Sequence, residues 1–147
     1  MRKMLMLAAA MAVLTIGTAQ AQSGPNLIEY RQVGFSLLAG DFAGIRAVAT
    51  AKGDVKTLEG PARAMQRFAA LIPSLFPAGT QAGNNTRALP EIWSDQAGFQ
   101  KAAAALGDAA GAISIAAKAG DADGVAAGIK AAGDSCGACH RAYQRPR

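Results

Sequence analysis

The chain has 147 residues and a formal net charge of +5, from 15 basic and 10 acidic side chains. The basic residues form no Lys/Arg run, and aromatic residues make up only 5% of the chain. This pattern does not predict a nucleic-acid-binding surface, which would need clustered cations interleaved with aromatic rings. Alanine is abundant and β-branched residues are scarce, which favours helices over strands.

The first 21 residues have the pattern of a secretory signal peptide. Arg2-Lys3 precedes an apolar run over residues 4–16, and Ala-Gln-Ala at 19–21 supplies small residues for cleavage. The apolar run is ~13 residues long, too short to span ~30 Å of hydrocarbon comfortably, so a retained membrane anchor is disfavoured. Cleavage would leave a single domain of residues 22–147 with 13 basic and 10 acidic residues.

Apolar residues recur every three or four positions in four stretches, which predicts four helices. We expect helices over about residues 25–50, 54–72 and 90–119, and a fourth after Gly120-Asp121, where glycine ends one helix and aspartate caps the next. Residues 73–89, with two prolines and two glycines, are predicted to form a long loop. The predicted fold class is all-α, an antiparallel up-down four-helix bundle.

Each predicted helix presents one apolar face to the core. Gly60-Pro61 either kinks the second helix or marks its true start. Many inward positions hold Ala or Gly, which would leave a volume for a large apolar group to fill. The residues predicted to line the four inward faces are, in chain order, Leu27, Tyr30, Phe35, Leu38, Phe42, Ile45, Ala49, Leu58, Ala62, Met65, Phe68, Ile72, Ile92, Trp93, Phe99, Ala103, Leu106, Ala110, Ile113, Ala117, Val125, Ile129, Ala132, Cys136, His140 and Tyr143.

The last predicted helix carries the sequence Cys-Gly-Ala-Cys-His at residues 136–140. This C-x-x-C-H spacing is the attachment pattern of haem c. Two thiols bond to the two vinyl groups of the porphyrin, and the adjacent imidazole reaches the iron. Because Cys139 and His140 follow Cys136 by three and four residues, a helix places all three on one face. We predict one covalent haem c per chain, held by Cys136 and Cys139, with His140 as the iron ligand.

Other interpretations of the two cysteines are weaker. A thioredoxin-like redox pair would follow a strand at the start of a helix, and no strand pattern is present. A structural zinc site needs four Cys or His ligands, whereas the chain has two Cys and one His. A local disulfide beside an incidental histidine stays open as an alternative.

Four segments in order resemble the cytochrome c′ family. They are Tyr30-Arg31-Gln32 in the first predicted helix, Phe76 to Thr80 (F-x-x-G-T), Pro90 to Asp95 (P-E-I-W-S-D), and Cys136 to Tyr143 (C-x-x-C-H-x-x-Y). The resemblance extends over nearly all of residues 26–145.

The resemblance implies a periplasmic haem protein, often a homodimer through its first two helices, that transfers electrons to a partner protein or binds nitric oxide. It implies five-coordinate iron with His140 on one side and an apolar pocket, with Phe35 over the ring, on the other. Arg31 and Gln32 would contact the haem propionates, and Asn85 and Thr86 would lie at the haem edge. Carbon monoxide is a further expected ligand, and no membrane or nucleic acid is an expected partner after the signal peptide is removed.

Other function classes remain as alternatives. A low-spin, six-coordinate relative would need a methionine from the first helix, but Met65, the only methionine after residue 21, falls in the second predicted helix and is expected in the core. An enzyme that consumes peroxide or nitric oxide would need a distal acid–base group, and the chain has a single histidine. We therefore expect a non-enzymatic haem protein. A haem-free bundle with a disulfide is the third hypothesis.

Overall fold

A computed structural model describes residues 24–146, and these residues form an all-α bundle. The four long helices are α1 (Gly24–Thr50), α2 (Glu59–Leu71), α4 (Gln96–Ala119) and α5 (Ala122–Tyr143), with a one-turn helix α3 (Glu91–Ser94) before α4. Two 3-10 turns, Val55–Leu58 and Ile72–Leu75, flank α2. The predicted signal peptide, residues 1–21, lies outside the described residues.

Helix α4 is the centre of the bundle, because it packs against α5 on one side and α2 on the other, while α1 packs mainly against α2. The described residues contain no strand; their only β-type pairing is one isolated antiparallel bridge between Ala88 and Gln144. The predicted four-helix architecture is therefore confirmed. The chain turns from α4 into α5 at Gly120, whose φ of 76° is left-handed, and Asp121 then accepts a hydrogen bond from Gly124 N–H.

The second predicted helix begins later than its apolar pattern indicated. Asp54 caps a 3-10 turn by accepting a 2.9 Å hydrogen bond from the backbone N–H of Lys56. The α-helix proper begins at Glu59, so Gly60-Pro61 lies in its first turn. Proline is well tolerated there, because the first N–H groups of a helix have no intrahelical acceptor. The pair therefore marks the start of α2.

The prediction of one continuous helix from Pro90 to Ala119 is wrong. The backbone leaves the helical region at Asp95, where φ is −122° and ψ is 62°. The Asp95 carboxylate accepts a 3.0 Å hydrogen bond from Gly98 N–H and so starts α4. An N-cap residue has non-helical backbone angles, and this requirement interrupts the helix.

The inward face of α1 also differs from the prediction. Tyr30, predicted to be in the core, is 69% exposed, whereas its neighbour Arg31 is 2% exposed. Ile28, which the prediction omitted, and Ile45 are fully buried on the same side. At the start of α1 the inward positions are therefore shifted by one residue, from Leu27 and Tyr30 to Ile28 and Arg31, and an arginine occupies a core position.

Several small residues in the core allow close helix packing. A Cβ at Gly128 of α5 would lie 2.6 Å from Ile113 of α4, and one at Gly111 of α4 would lie 2.6 Å from Gln66 of α2. Gly128 lets the backbones of α4 and α5 approach, since the Ile113 backbone nitrogen would lie 3.2 Å from its Cβ, whereas Gly111 makes space for the Gln66 side chain. Part of the apparent shortage of core volume therefore has a structural explanation within the bundle. Met65 is buried in the core, as predicted.

The outer face of α1 is unusually apolar. Val33 and Leu37 are more than half exposed, as is Leu71 at the end of α2. By length and composition alone, Leu27–Thr50 and Gln96–Ala119 would be long and apolar enough to cross a membrane. The apolar side chains of α4 are largely those of the central core helix, whereas many apolar side chains of α1 lie on the surface.

Candidate functional site

The three residues of the C-x-x-C-H motif lie in the last two turns of α5. The side chains of Cys136 and Cys139 are half-buried against the hydrophobic core, whereas His140, predicted on the inward face, is exposed. Burial raises the pKa of the thiol of each cysteine, and the neighbouring Cys136 adds to this effect at Cys139. The helix thus presents two thiols to an apolar interior and leaves the imidazole at its edge.

The geometry gives no support to a structural zinc site at this motif. Within residues 24–146, no three His, Cys, Asp or Glu side chains are placed to hold a metal ion. Structural zinc requires a closed set of four such ligands.

Arg31 is the most unusual polar residue near the bundle end. Its buried guanidinium donates to the Thr80 hydroxyl (2.9 Å), the Thr80 carbonyl (2.9 Å) and the Thr86 hydroxyl (3.0 Å), with a longer contact to the Leu75 carbonyl (3.4 Å). It also lies 4.3 Å from the centroid of the Phe76 ring. Burial lowers the pKa of Arg31.

The charge of Arg31 has no carboxylate partner in this part of the chain. The ion pairs among the described residues are Arg63–Glu59 and Lys130–Asp134, and each joins neighbouring turns within a single helix, α2 and α5 respectively. A buried cation held only by neutral acceptors is costly, because desolvation is not offset by an opposite charge. The site therefore favours an anion beside Arg31.

The loop after α2 supplies the other predicted edge residues. Gln32 donates from its amide nitrogen to the backbone carbonyl of Asn84 at 2.9 Å. Thr86 is buried against Arg31, whereas Asn85 is exposed and has a left-handed φ of 51°. The structure thus joins Arg31 directly to Thr86, while Gln32 is bonded to Asn84 of the same loop and Asn85 is exposed.

Aromatic side chains form a continuous apolar wall from α1 to α5. Phe35 packs edge-on against Phe68 (5.7 Å between centroids) and lies 6.3 Å from Phe76. Phe76 contacts Phe99 at 5.1 Å, and Phe99 contacts Tyr143 at 5.2 Å. Because Arg31 and Phe35 both lie against Phe76, they share one side of α1, as their four-residue spacing predicted.

Tyr143 lies on the inward face of α5, as predicted, and its hydroxyl reaches Asp95, an exposed residue just before α4. Tyr143 is buried, and its hydroxyl donates a 2.8 Å hydrogen bond to Oδ2 of Asp95. This bond lowers the pKa of Asp95 and raises the pKa of Tyr143. Trp93, expected to pack in the core, is half-buried and donates from its indole nitrogen to the Pro77 carbonyl at 3.1 Å.

Sequence reasoning missed the contribution of the C-terminal tail. The carbonyl of Tyr143 accepts from Leu89 N–H (3.0 Å), and Arg145 N–H donates to the Arg87 carbonyl (2.8 Å). The Arg145 guanidinium also donates to the carbonyl of Thr86. Residues 143–145 therefore hold the loop segment 86–89 against the end of α5. No local sequence signal predicts such pairing between segments more than 50 residues apart.

The comparisons with known proteins agree on one family. The family model described as Cytochrome C′ matches residues 26–144. A cytochrome c′ of Alcaligenes xylosoxydans is 34% identical over 124 residues, which cover 83% of this chain and 95% of the relative. A cytochrome c′ of Rubrivivax gelatinosus is 37% identical over 86 residues, covering 57% of this chain and 67% of the relative.

Solved structures support the same assignment. The crystal structure of cytochrome c′ from Rubrivivax gelatinosus superposes with a TM-score of 0.76 at 33% identity, covering 86% of this chain and 100% of that one. The nitric oxide complex of a variant cytochrome c prime from Alcaligenes xylosoxidans gives 0.77 at 32% identity, covering 87% of this chain and 100% of that one. The chain belongs to the cytochrome c′ family of four-helix proteins that carry covalently attached haem c.

Proposed function

We propose that this protein is a periplasmic haem c protein that transfers electrons and binds nitric oxide, without turnover of an organic substrate. The observation that carries the proposal is the arrangement of two half-buried thiols of a C-x-x-C-H motif beside an aromatic wall and a buried cation. When bound, haem c supplies an iron that exchanges one electron and takes a diatomic gas as ligand.

The residues present fit a covalently held haem. Cys136 and Cys139 face the apolar interior of the bundle, where two thioether bonds would fix a large flat apolar group. His140 follows at once on the same helix and would be the protein's ligand to the iron. Arg31 is a buried cation in need of an anion, and a propionate carboxylate is such an anion.

The haem edge would be held by residues of α1 and of the following loop. Arg31 would pair with a propionate, and Gln32, Asn85 and Thr86 would surround it with polar groups. Thr80 and Thr86 already fix the direction of the Arg31 guanidinium through hydrogen bonds. A guanidinium that is fixed before the anion arrives loses little conformational entropy when it binds.

The opposite side of the site would be an apolar gas pocket. Phe35 and the rings that surround it have no hydrogen-bond donor for a bound oxygen molecule and leave little space for a large ligand. The relative in the nitric oxide complex described above superposes over 87% of this chain, which supports the same ligand here. We expect carbon monoxide to bind more weakly than nitric oxide.

A five-coordinate site is favoured over a six-coordinate one. Helix α1 contains no methionine or lysine that could act as a second protein ligand. Met65 is buried among core residues of α2 and α4, where it fills volume. A peroxide-consuming enzyme is disfavoured because the rings of Phe35, Phe68 and Phe76, which lie together beside Arg31, carry no acid–base group.

The cellular location and assembly are part of the proposal. Residues 1–21 would direct export and be removed, so that haem attachment and function take place in the periplasm on residues 22–147. The exposed apolar face of α1, with Val33 and Leu37, supports a homodimer formed through α1 and α2. A separate redox protein would exchange electrons with the haem.

The proposal is tested by spectra of protein exported to the periplasm of a host that makes c-type cytochromes. A pyridine haemochrome spectrum should show one haem c per chain, and none in a Cys136→Ser, Cys139→Ser double variant. The oxidised and reduced spectra should be high-spin, and nitric oxide should bind the reduced protein. Sharp low-spin bands, or absence of haem from the unmodified chain, would overturn the proposal.

A further inference from the structure

The C-terminal tail lies on the loop that holds Arg31 in place. Thr86 is the shared residue: its hydroxyl accepts from Arg31 at 3.0 Å, and its carbonyl accepts from the guanidinium of Arg145. One residue therefore connects a buried cation on α1 to an exposed residue that follows the haem-carrying helix.

Three further hydrogen bonds keep Thr86 between these arginines. The Thr86 backbone N–H donates to the Gly83 carbonyl at 2.9 Å, which closes the turn before it. Arg87, the next residue, is paired through its carbonyl with Arg145 N–H and through its own Nε–H with the Arg145 carbonyl at 3.0 Å. Because Thr86 is fixed from both sides, a displaced tail would also release the acceptor of Arg31.

We propose that Arg145 is a positioning residue for Arg31, acting through Thr86, so that the chain end beyond α5 sets the orientation of the guanidinium at the haem edge. The inference rests on the proposed haem site. Arg145 itself need not touch the haem. It would act by holding Thr86, whose hydroxyl accepts a hydrogen bond from Arg31, and Arg31 lies deeper in the bundle.

The competing explanation is that Arg145 acts on the haem only through its charge. The test must separate this charge effect from positioning through Thr86. Removing any nearby cation lowers the reduction potential, because a cation favours the reduced, less positive iron. Arg141→Gln supplies the matched control: Arg141 is an exposed arginine on the last turns of α5, and its substitution removes the same charge. Thr86→Val removes the hydroxyl acceptor without changing charge, and Thr86→Ser retains it.

The experiment is a double-mutant cycle on the haem-loaded protein, read by reduction potential and by amide hydrogen exchange. Arg145→Gln should lower the potential more than Arg141→Gln does, and should speed exchange of the Leu89 amide about tenfold. Thr86→Val should also lower the potential, and Thr86→Ser should restore it. The double variant should show less than the sum of the two single shifts, since both release the same guanidinium.

Additive shifts from Arg145→Gln and Thr86→Val, with Arg145→Gln equal to Arg141→Gln, would overturn the inference while leaving the proposed function intact. Failure of the unmodified chain to take up haem would overturn both. If Thr86→Val does not fold, the comparison of Arg145→Gln with Arg141→Gln decides alone: equal potentials and unchanged Leu89 exchange reject the positioning role.

Discussion

The Tyr143 hydroxyl of α5 donates a hydrogen bond to Asp95, the N-cap residue of α4, and this bond joins the end of the haem-carrying helix to the central helix of the bundle. Tyr143 lies three residues beyond His140, on the last turn of α5. Asp95 also accepts from Gly98 N–H, so one carboxylate both caps α4 and anchors α5. The last turn of α5 is therefore held to the start of α4 by a contact between residues 48 positions apart.

The first prediction is that the hydrogen bond between Tyr143 and Asp95 contributes to the loss of folding stability in acid. The Tyr143 hydrogen bond is the larger cause, and the Gly98 N–H the smaller, of the lowered pKa of Asp95 in the folded chain. A lowered folded-state pKa gives stability that is present above the unfolded value of ~3.9 and is lost as pH falls through the folded value. Tyr143→Phe should therefore lower the free energy of unfolding at neutral pH and flatten its decline below about pH 4.

Urea unfolding of the haem-loaded protein between pH 2 and 7 measures this dependence. Tyr30→Phe is the matched control, because Tyr30 is exposed and its hydroxyl forms no bond with Asp95. Equal acid slopes for the Tyr143→Phe protein and the unmodified protein would show that the hydroxyl adds nothing to stability. The raised pKa of Tyr143 predicts a second loss as pH rises above ~10, which Tyr143→Phe should also remove.

The second prediction concerns Arg31. Arg31→Ala would release Thr80 and Thr86 from the guanidinium and remove a cation from the proposed haem edge. We expect the free energy of unfolding to fall by ~3 kcal/mol, because several hydrogen bonds to a charged group are lost together. The reduction potential should also fall, unless the freed propionate becomes protonated and thereby offsets the lost charge.

Potentiometry from pH 5 to 9 and urea unfolding test both effects. Arg46→Ala, at an exposed arginine of the same helix that lies 5.9 Å from the Phe42 ring, is the control for charge removal from α1. An unchanged potential and an unchanged pH profile in Arg31→Ala would count against any contact between Arg31 and a propionate.

The third prediction concerns assembly. Leu37 is 66% exposed on α1, near the exposed Val33, and burial of these side chains in a dimer would be favourable. Leu37→Glu should therefore convert dimers to monomers, measured by sedimentation equilibrium. Ile115→Glu on α4 is the control, since Ile115 is 75% exposed and lies outside α1 and α2. A monomeric unmodified protein at high micromolar concentration, or dimers that persist in Leu37→Glu, would contradict the prediction. Binding to lipid vesicles instead would assign the face to a membrane.

Regular helical periodicity made most of the fold predictable, and the departures have identifiable causes. The apolar pattern of α2, α4 and α5 correctly predicted most of their core residues. Tyr30 was placed inward because tyrosine is more often buried than arginine, yet Arg31 takes that side since the loop supplies neutral acceptors for its guanidinium. The break at Asp95 was hidden by Pro90, which is an equally good start for a helix.

The candidate site was predictable in a different way. The positions of Cys136, Cys139 and His140 follow from local spacing on one helix. Arg31 and Thr86 were placed at the haem edge by family resemblance, and the structure brings them into contact. The contribution of Arg145 could not be predicted, because backbone pairing between the tail and the loop depends on tertiary proximity and not on side-chain identity.

The last prediction concerns gas selection by Phe35. Its ring is half-buried, packs edge-on against Phe68 and lies beside Phe76, on the same side of α1 as Arg31. If Arg31 meets the haem edge, Phe35 lies one helical turn along, over the face opposite His140. A phenyl ring there excludes ligands by volume and offers no hydrogen bond. We expect nitric oxide still to bind the haem that Cys136, Cys139 and His140 would hold, because it bonds to reduced iron more strongly than carbon monoxide does.

Phe35→Ala should therefore raise the affinity for carbon monoxide markedly, while the free energy of unfolding falls by ~2–3 kcal/mol through the cavity left among Phe68 and Phe76. Carbon monoxide titration of the reduced protein measures the affinity, and urea unfolding measures the cost. Phe42→Ala is the matched control: Phe42 is also half-buried on α1, two turns farther from Arg31, so it should lower stability without changing carbon monoxide affinity. An affinity in Phe35→Ala equal to that of the unmodified protein, with the fold intact, would mean that Phe35 serves packing alone.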